Sequence, residues 1–245
     1  MVVESNKYLK SKYTLIAKKF LDEKNKEYKI ICALITGSYY SGRLRKNSDI
    51  DIFLITENIP TREKGVSIID NIKVSYYLNP LWKIKHLLSD ETKKLKRPTA
   101  EFVYFSKCLY GKEVANNLQK ISKNTIQSKL PKPSKEDTSY FGWKLDDKLL
   151  ALKRKNNSSL NKEYLKHDLF DCCIDAFFIF KRSYKPHSKY VLKRIKDIDA
   201  SFFKLLEMYL KEKSEKSLEK IVYHLLKILH FKAKDYFKIT KANLD

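Results

Sequence analysis

The sequence predicts an α+β protein: a small β-sheet domain packed with helices over residues 1–130, then an all-helical bundle over residues 131–245. Three observations lead there. Apolar runs of strand length fall only in the first half of the chain. A Pro-Lys-Pro segment at Pro131–Pro133 then breaks the pattern. Beyond it, apolar residues recur only at helical spacing. Hydrophobic residues make up 43% of the 245 and aromatics 13%, which is enough for one large core or two small ones.

Taken in order, Tyr8–Glu23 reads as a helix, with Leu15, Ile16, Phe20 and Leu21 expected on one face. Tyr28–Ile35 is a short Ile-rich run stopped by Thr36-Gly37-Ser38, hence a buried strand, and Ile50–Ile55 reads the same way. Val66–Ile69 and Ile72–Leu78 flank Asp70-Asn71, two residues suited to a tight turn, so a hairpin is expected. Pro80 suits the start of a helix running towards Lys94. In the second half, helices are expected at Lys135–Lys155, Asn161–Tyr184, Ser188–Ile195, Ala200–Lys213 and Ser214–His230. No repeat of fixed period is visible.

Composition narrows the function classes. The longest apolar runs, such as Ile30–Ile35 and Ala176–Phe180, are far shorter than the ~20 residues of a membrane span, so no membrane partner is expected. No apolar segment follows the charged start, and Cys32, Cys108, Cys172 and Cys173 lack metal-type spacing. They read as buried free thiols in a reducing compartment, which predicts a cytoplasmic protein. The net charge of +22 admits a polyanionic partner such as RNA. Only seven of the 51 basic residues are Arg, however, and Arg is the residue suited to bidentate phosphate recognition.

The chemistry centres on Gly37 to Asp51. Gly37-Ser38 follows a strand, Asp49 comes eleven residues after Ser38, and Asp51 lies on the next strand. Strand residues two apart share a face, so Asp49 and Asp51 present two carboxylates side by side. Two neighbouring like charges require compensation, which a hard divalent cation such as Mg²⁺ supplies through carboxylate oxygens. Gly37 lets the backbone approach a phosphate closely, and the Ser38 hydroxyl can donate to its oxygens.

Two stretches carry a resemblance: Ile35-Thr36-Gly37-Ser38-Tyr39-Tyr40-Ser41-Gly42 and Asn47-Ser48-Asp49-Ile50-Asp51-Ile52-Phe53. Together they resemble the signature of the DNA polymerase beta-type nucleotidyltransferases. With the helical second half, the layout is most similar to the small aminoglycoside-type, or minimal, members. Phe105–Gly111 and Tyr184–Tyr190 add weaker support. The resemblance implies a small mixed β-sheet and transfer of a nucleoside monophosphate from a nucleoside triphosphate to a hydroxyl acceptor: a small molecule, a protein or RNA. It further implies one or two Mg²⁺ ions on Asp49 and Asp51, phosphate binding by Gly37 and Ser38, and auxiliary cations from Arg43, Arg45, Lys46 and Lys189. Ser48 is expected to support the start of the strand by a local hydrogen bond.

Two departures bear on activity. Ser41 stands where many relatives carry a basic residue. More importantly, the family's further carboxylate on the next long strand aligns with Ser75, and Ile72–Leu78 contains no acid at all. Substitutes are Glu101, or Asp168, Asp171 and Asp175, which are spaced to share one helix face. A catalytically weakened, nucleotide-binding regulatory module is therefore an alternative to a working transferase. A third reading rests on Arg182 and His187, whose spacing fits HEPN ribonucleases, although Pro186 between them disfavours a continuous helix.

Overall fold

A computed structural model describes residues 6–42, 44–57, 59–229 and 231, without the side chains of residues 6 and 7. The chain divides into two compact units. One contains the chain up to Thr92 together with Arg97–Ser128; the other contains Lys93–Lys96 and the chain from Lys129 onward.

The first unit is built on a five-stranded mixed sheet in the order β3-β4-β2-β1-β5. Its strands are β1 (Ile30–Thr36), β2 (Ile50–Thr56), β3 (Glu63–Ile69), β4 (Ile72–Pro80) and β5 (Lys107–Tyr110). Helix α1 (Asn6–Glu27) precedes them, and the one-turn helix α2 (Ser38–Ser41) links β1 to β2. Helices α3 (Leu81–Glu91), α4 (Pro98–Tyr104) and α5 (Lys112–Gln127) follow the hairpin. Strand β1 pairs antiparallel with β2 and β5, β3 antiparallel with β4, and β2 parallel with β4. The predicted hairpin is present, and its turn residues Asp70 (φ 48°) and Asn71 (φ 61°) are left-handed, as a two-residue hairpin turn requires.

Strand alternation divides the sheet's apolar residues between two cores. Ala33, Ile35, Ile52, Leu54, Val74 and Leu78 face α1, which buries Tyr13, Ile16, Ala17 and Phe20 against them. This repeat differs from the expected face: Leu15 is exposed, because the buried stripe runs through positions 9, 13, 16, 17 and 20. On the opposite face, Leu34, Phe53 and Ile55 are covered by Ile84 and Leu88 of α3, Val103 of α4 and Leu118 of α5.

Helix α3 stops at Glu91, short of Lys94, and two buried polar side chains hold the segment that follows. Glu91 accepts from the backbone N–H groups of Thr99 and Ala100, at 2.9 and 2.8 Å, and so satisfies the first turn of α4. Arg97 is fully buried and donates to carbonyls of Thr92, Thr125 and Ser128. Strand β5 and helix α4 were not expected. Cys108, on β5, is exposed and so departs from the predicted set of buried thiols, while Cys32, Cys172 and Cys173 are buried.

The second unit is helical among its described residues: α6 (Lys135–Leu152), α7 (Ser159–Phe180), α8 (Ser188–Ile198), α9 (Ala200–Glu212) and α10 (Glu215–Ile228). Each of the four caps Ser134, Ser158, Asp199 and Ser214 accepts a backbone N–H from the first turn it precedes. The core joins Leu145, Leu149, Leu169, Cys173, Phe177, Phe202, Leu206 and Val222. The Phe177 and Phe202 rings stack with centroids 4.5 Å apart. Helix α7 ends earlier than expected because Arg182 turns left-handed (φ 53°) just after it. His230, at the end of the last expected helix, lies outside the described residues.

Candidate functional site

The sheet's register assembles the site. Thr36 pairs with Asp51 across β1–β2, and Asp51 pairs with Ser75 across β2–β4. Paired residues of neighbouring strands project to the same face, so Thr36, Asp51 and Ser75 form a row at one end of the sheet. They lie on the face whose central part is covered by α3, α4 and α5. Asp49 and Lys73 each lie two residues before a member of this row and extend the same face outward. There the Lys73 ammonium meets the Asp49 carboxylate at 3.0 Å, both side chains being 48% exposed.

Gly37 ends β1 with φ 69° and ψ −137° and starts α2. Side chains rarely adopt that backbone conformation, and space forbids one as well. A Cβ at Gly37 would stand 2.3 Å from Asp51 Oδ2. The Asp51 carboxylate therefore lies directly against the bare backbone of the turn, so an anion held at the turn and a cation on the carboxylate would be immediate neighbours.

The connection from α2 to β2 is fixed from several sides. Buried Tyr39 joins its hydroxyl to Thr14 Oγ1 of α1 at 2.7 Å. Gly42 (φ 70°) closes α2 by donating its N–H to the Ser38 carbonyl. Tyr13 of α1 donates to the carbonyls of Arg45 and Lys46, at 3.1 and 3.0 Å. Ser48 Oγ accepts the Arg45 N–H at 2.9 Å, so it has the local supporting role expected of it. Arg45 and Lys46 are exposed on this turn, and Arg43 lies outside the described residues. On the α1 side of the sheet Lys107 sits against Lys10; a hydrogen bond between the two amines, then their repulsion, holds the Lys107 ammonium below its ordinary pKa. Lys10 lies over the Tyr39 ring, 5.8 Å from its centroid.

Beside the Gly37 turn, Thr36 Oγ1 donates to the Phe105 carbonyl. The rings of Tyr40 and Phe105 meet edge-on at 6.1 Å, and Tyr104 packs against Phe105 at 4.9 Å. Glu101 lies in α4, half-buried, next to Phe102, whose ring packs on Phe53 at 4.9 Å.

The other candidates lie in the helical unit, where most have a local task. Asp168 is ion-paired with Lys148, and Asp175 with Lys185 at 2.6 Å; Asp171 is exposed. Arg182 Nε donates to the Leu130 carbonyl at 2.9 Å, and His187 precedes α8, accepting the Lys189 N–H at 3.5 Å. Arg182 and His187 thus flank a helix break rather than sharing a helix. Lys189 is exposed in the first turn of α8.

Asp49 and Asp51 suit a divalent ion of the Mg²⁺ kind, which takes one or two carboxylates and completes its shell with phosphate oxygens and water. Among the described residues no group of three His, Cys, Asp or Glu side chains converges. Lys73 is the residue that sequence reasoning missed. Its position two before Ser75, matching that of Asp49 two before Asp51, was the available signal, but only the β2–β4 register gives it meaning.

The family model described as "Polymerase beta, Nucleotidyltransferase" matches residues 18–113. A solved structure, a nucleotidyltransferase-like protein from Exiguobacterium sibiricum 255-15, is 15% identical with a TM-score of 0.49. That match covers 92% of this chain and 77% of the other. No curated protein matches. Among the described residues no helix is long and apolar enough to cross a membrane.

Proposed function

We propose that the chain is a nucleotidyltransferase of the polymerase beta type, a reading the family match over residues 18–113 supports, and that it binds a nucleoside triphosphate at the Gly37 turn and transfers its nucleoside monophosphate to a hydroxyl acceptor. The observation that carries this reading is the fit of the Asp51 carboxylate against Gly37, with Asp49 on the same sheet face. Gly37 and Ser38 would receive the terminal phosphates, with Lys46 as an auxiliary cation. Arg43 and Lys189 are proposed from the sequence alone. Asp49 and Asp51 would hold Mg²⁺, which would supply charge neutralisation at the phosphates; in the transfer the acceptor hydroxyl gives up its proton as its oxygen bonds to the α-phosphorus and the bond to pyrophosphate breaks.

One observation favours a second reading. Ser75 stands in register beside Asp51, on the face where the family's further carboxylate is expected, and serine cannot act as a carboxylate base. General-base catalysis contributes ~10²–10⁴-fold, so a chain without it would bind nucleotide while transferring slowly or not at all. Glu101, in the same unit, is the candidate for a substitute acid.

Incubation with each labelled triphosphate and Mg²⁺, against tRNA, protein and aminoglycoside panels, tests transfer. Melting with and without nucleotide tests binding, since ligand at about 100 times its dissociation constant adds ~2.7 kcal/mol. Replacing both Asp49 and Asp51 by Asn should remove the metal-dependent part of that shift while the protein stays folded. An unchanged shift in the double variant would refute the metal assignment. Binding without transfer, restored in part by Ser75→Asp, selects the second reading.

A further inference from the structure

We propose that Arg62 and Lys64, held on the Tyr77 ring, bind an anionic group of the acceptor, so that the acceptor is a phosphate-bearing hydroxyl compound rather than a polycationic aminoglycoside. The inference rests on the transferase reading above and names its substrate class.

The strand register places these residues on the sheet face of the aspartates. Asp51 pairs with Ser75 and Ser75 with Val66; one step further in, Phe53 pairs with Tyr77 and Tyr77 with Lys64. Two residues along a strand span ~6.7 Å and neighbouring strands lie ~4.8 Å apart, so Tyr77 and Lys64 stand roughly 8–12 Å from Asp51. The face is open towards β3: Val66 and Ile68 are 55% and 66% exposed, whereas Phe53 is buried. The Arg62 guanidinium lies 4.8 Å and the Lys64 ammonium 5.3 Å from the centroid of the Tyr77 ring. Phe102 of α4 packs edge-on against the same ring at 5.8 Å and fixes it.

Charge decides what such a surface takes. An aromatic ring orients a cation without neutralising it. Among the described residues neither Arg62 nor Lys64 has a carboxylate partner. Strands β3 and β4 bring no acid to this face, where they place Lys64, Val66, Ile68, Lys73, Ser75 and Tyr77. Glu63 belongs to the opposite face, where the Tyr28 hydroxyl donates to it at 3.1 Å. A polycation approaching over β3 therefore meets like charge. An anion meets two side chains already held in place, which lowers the ordering cost of binding, and the guanidinium fork suits a phosphate.

In-line transfer fixes the side from which the acceptor comes. The Gly37 turn lies on the β1 side of Asp51. Attacking and leaving oxygens stand on opposite sides of the α-phosphorus. With pyrophosphate towards Gly37, the acceptor hydroxyl arrives over β4 and the rest of the acceptor spreads over β3. A phosphate roughly 10 Å from that hydroxyl then reaches Arg62 and Lys64.

The test uses the full chain, with triuridylate and glucose 6-phosphate as phosphate-bearing probes and kanamycin as the polycation. Each is titrated by calorimetry with and without α,β-methylene-ATP, a nucleotide that cannot be transferred. The wild type is expected to bind a phosphate-bearing probe more tightly than kanamycin. The double variant Arg62→Gln/Lys64→Gln should lose roughly tenfold or more of that affinity and keep the nucleotide-dependent rise in melting temperature. Val66→Glu, which sets a carboxylate beside Lys64 on the same face, should weaken the same probe. Both variants alter exposed side chains, so circular dichroism should show them folded. Loss for triuridylate alone places the phosphate on a nucleotide chain; loss for glucose 6-phosphate as well places it on a small acceptor. Kanamycin bound as tightly as either probe, or probe affinity unchanged in the double variant, overturns the proposal. If α,β-methylene-ATP raises the melting temperature of no form, the transferase reading itself fails, while the dependence of probe binding on Arg62 and Lys64 is still read from the titrations without nucleotide.

Discussion

The two units use their carboxylates differently. In the helical unit Asp168 and Asp175 are ion-paired, and Asp199 both caps α9 and pairs with Lys181 at 2.9 Å. Glu219 pairs with Lys153 in the same way. Each such acid ties its helix to another helix, to a helix end or, for Asp175, to the loop after α7. In the sheet unit, Asp49 and Asp51 lie at the open end of one sheet face, with the glycine turn shaped around Asp51. The sheet unit also contains acids with structural work: buried Glu91 satisfies the first turn of α4, and exposed Asp70 pairs with Lys19. An acid aligned with a sheet end and a close-approach glycine thus differs from one that completes a helix. Mutations should separate the two kinds.

The largest stability effect is expected at Arg97. Arg97→Met leaves the carbonyls of Thr92, Thr125 and Ser128 without their buried donor. A loss of about 3–5 kcal/mol should be read from the urea midpoint. Gly37→Ala should cost less stability, about 1–3 kcal/mol for the forced backbone, yet abolish the nucleotide-dependent rise in melting temperature, because the new methyl collides with Asp51 Oδ2. A retained rise would show that the turn does not hold the phosphates.

On the helical side, Asp199→Ala should cost ~1–2 kcal/mol as a lost cap and leave nucleotide binding unchanged. Burial pushes the Asp199 carboxyl up, but hydrogen bonds from Ser201, Lys181 and the Phe202 N–H outweigh it and hold the group well below the ordinary carboxylate range. With the folded value below the unfolded value of about 3.9, the stabilisation is complete at neutral pH. It is lost as the pH falls below about 4 towards the folded value, so the stabilities of wild type and variant should converge on acidification. The smallest effect belongs to Asp171→Ala: within ~0.5 kcal/mol, as for an ordinary exposed residue. Lost transfer in that variant, with nucleotide-dependent melting kept, would show that Asp171 acts in the reaction after all.

Much of this was legible in the sequence because the signals are local. Ile-rich runs bounded by glycine and turn residues gave β1, β2 and the β3–β4 hairpin. What was not legible depends on partners far along the chain. Strand β5 is four residues of mixed character, Lys-Cys-Leu-Tyr, and is a strand only because β1 offers it an edge. Helix α4 is seven residues long and depends on Glu91 to satisfy its first turn. Cys108 was expected inside because its neighbours are apolar, but an edge strand leaves it exposed. At the site, the spacing gave Gly37, Asp49 and Asp51 as a group. The pairing of Lys73 with Asp49 needed the parallel register, which no local pattern encodes.

The pairing of β1 with β5 also sets the order in which the molecule can be made. On the edge away from β2, Ala33 pairs with Tyr110, and Gly111 (φ 71°) then turns the chain so closely over β1 that a Cβ there would stand 2.0 Å from the Ile31 carbonyl oxygen. During synthesis the hairpin and the β2–β4 ladder can form from neighbouring sequence, while one edge of β1 waits for residues still inside the ribosome. Contacts of such long range close slowly, and an open strand edge is a template for pairing with another chain. The helical unit also waits for a late partner, since α10 packs on α6 and α7, but it leaves no open strand edge meanwhile. In a cell making this protein quickly, the vulnerable interval is therefore the one between emergence of β1 and arrival of β5.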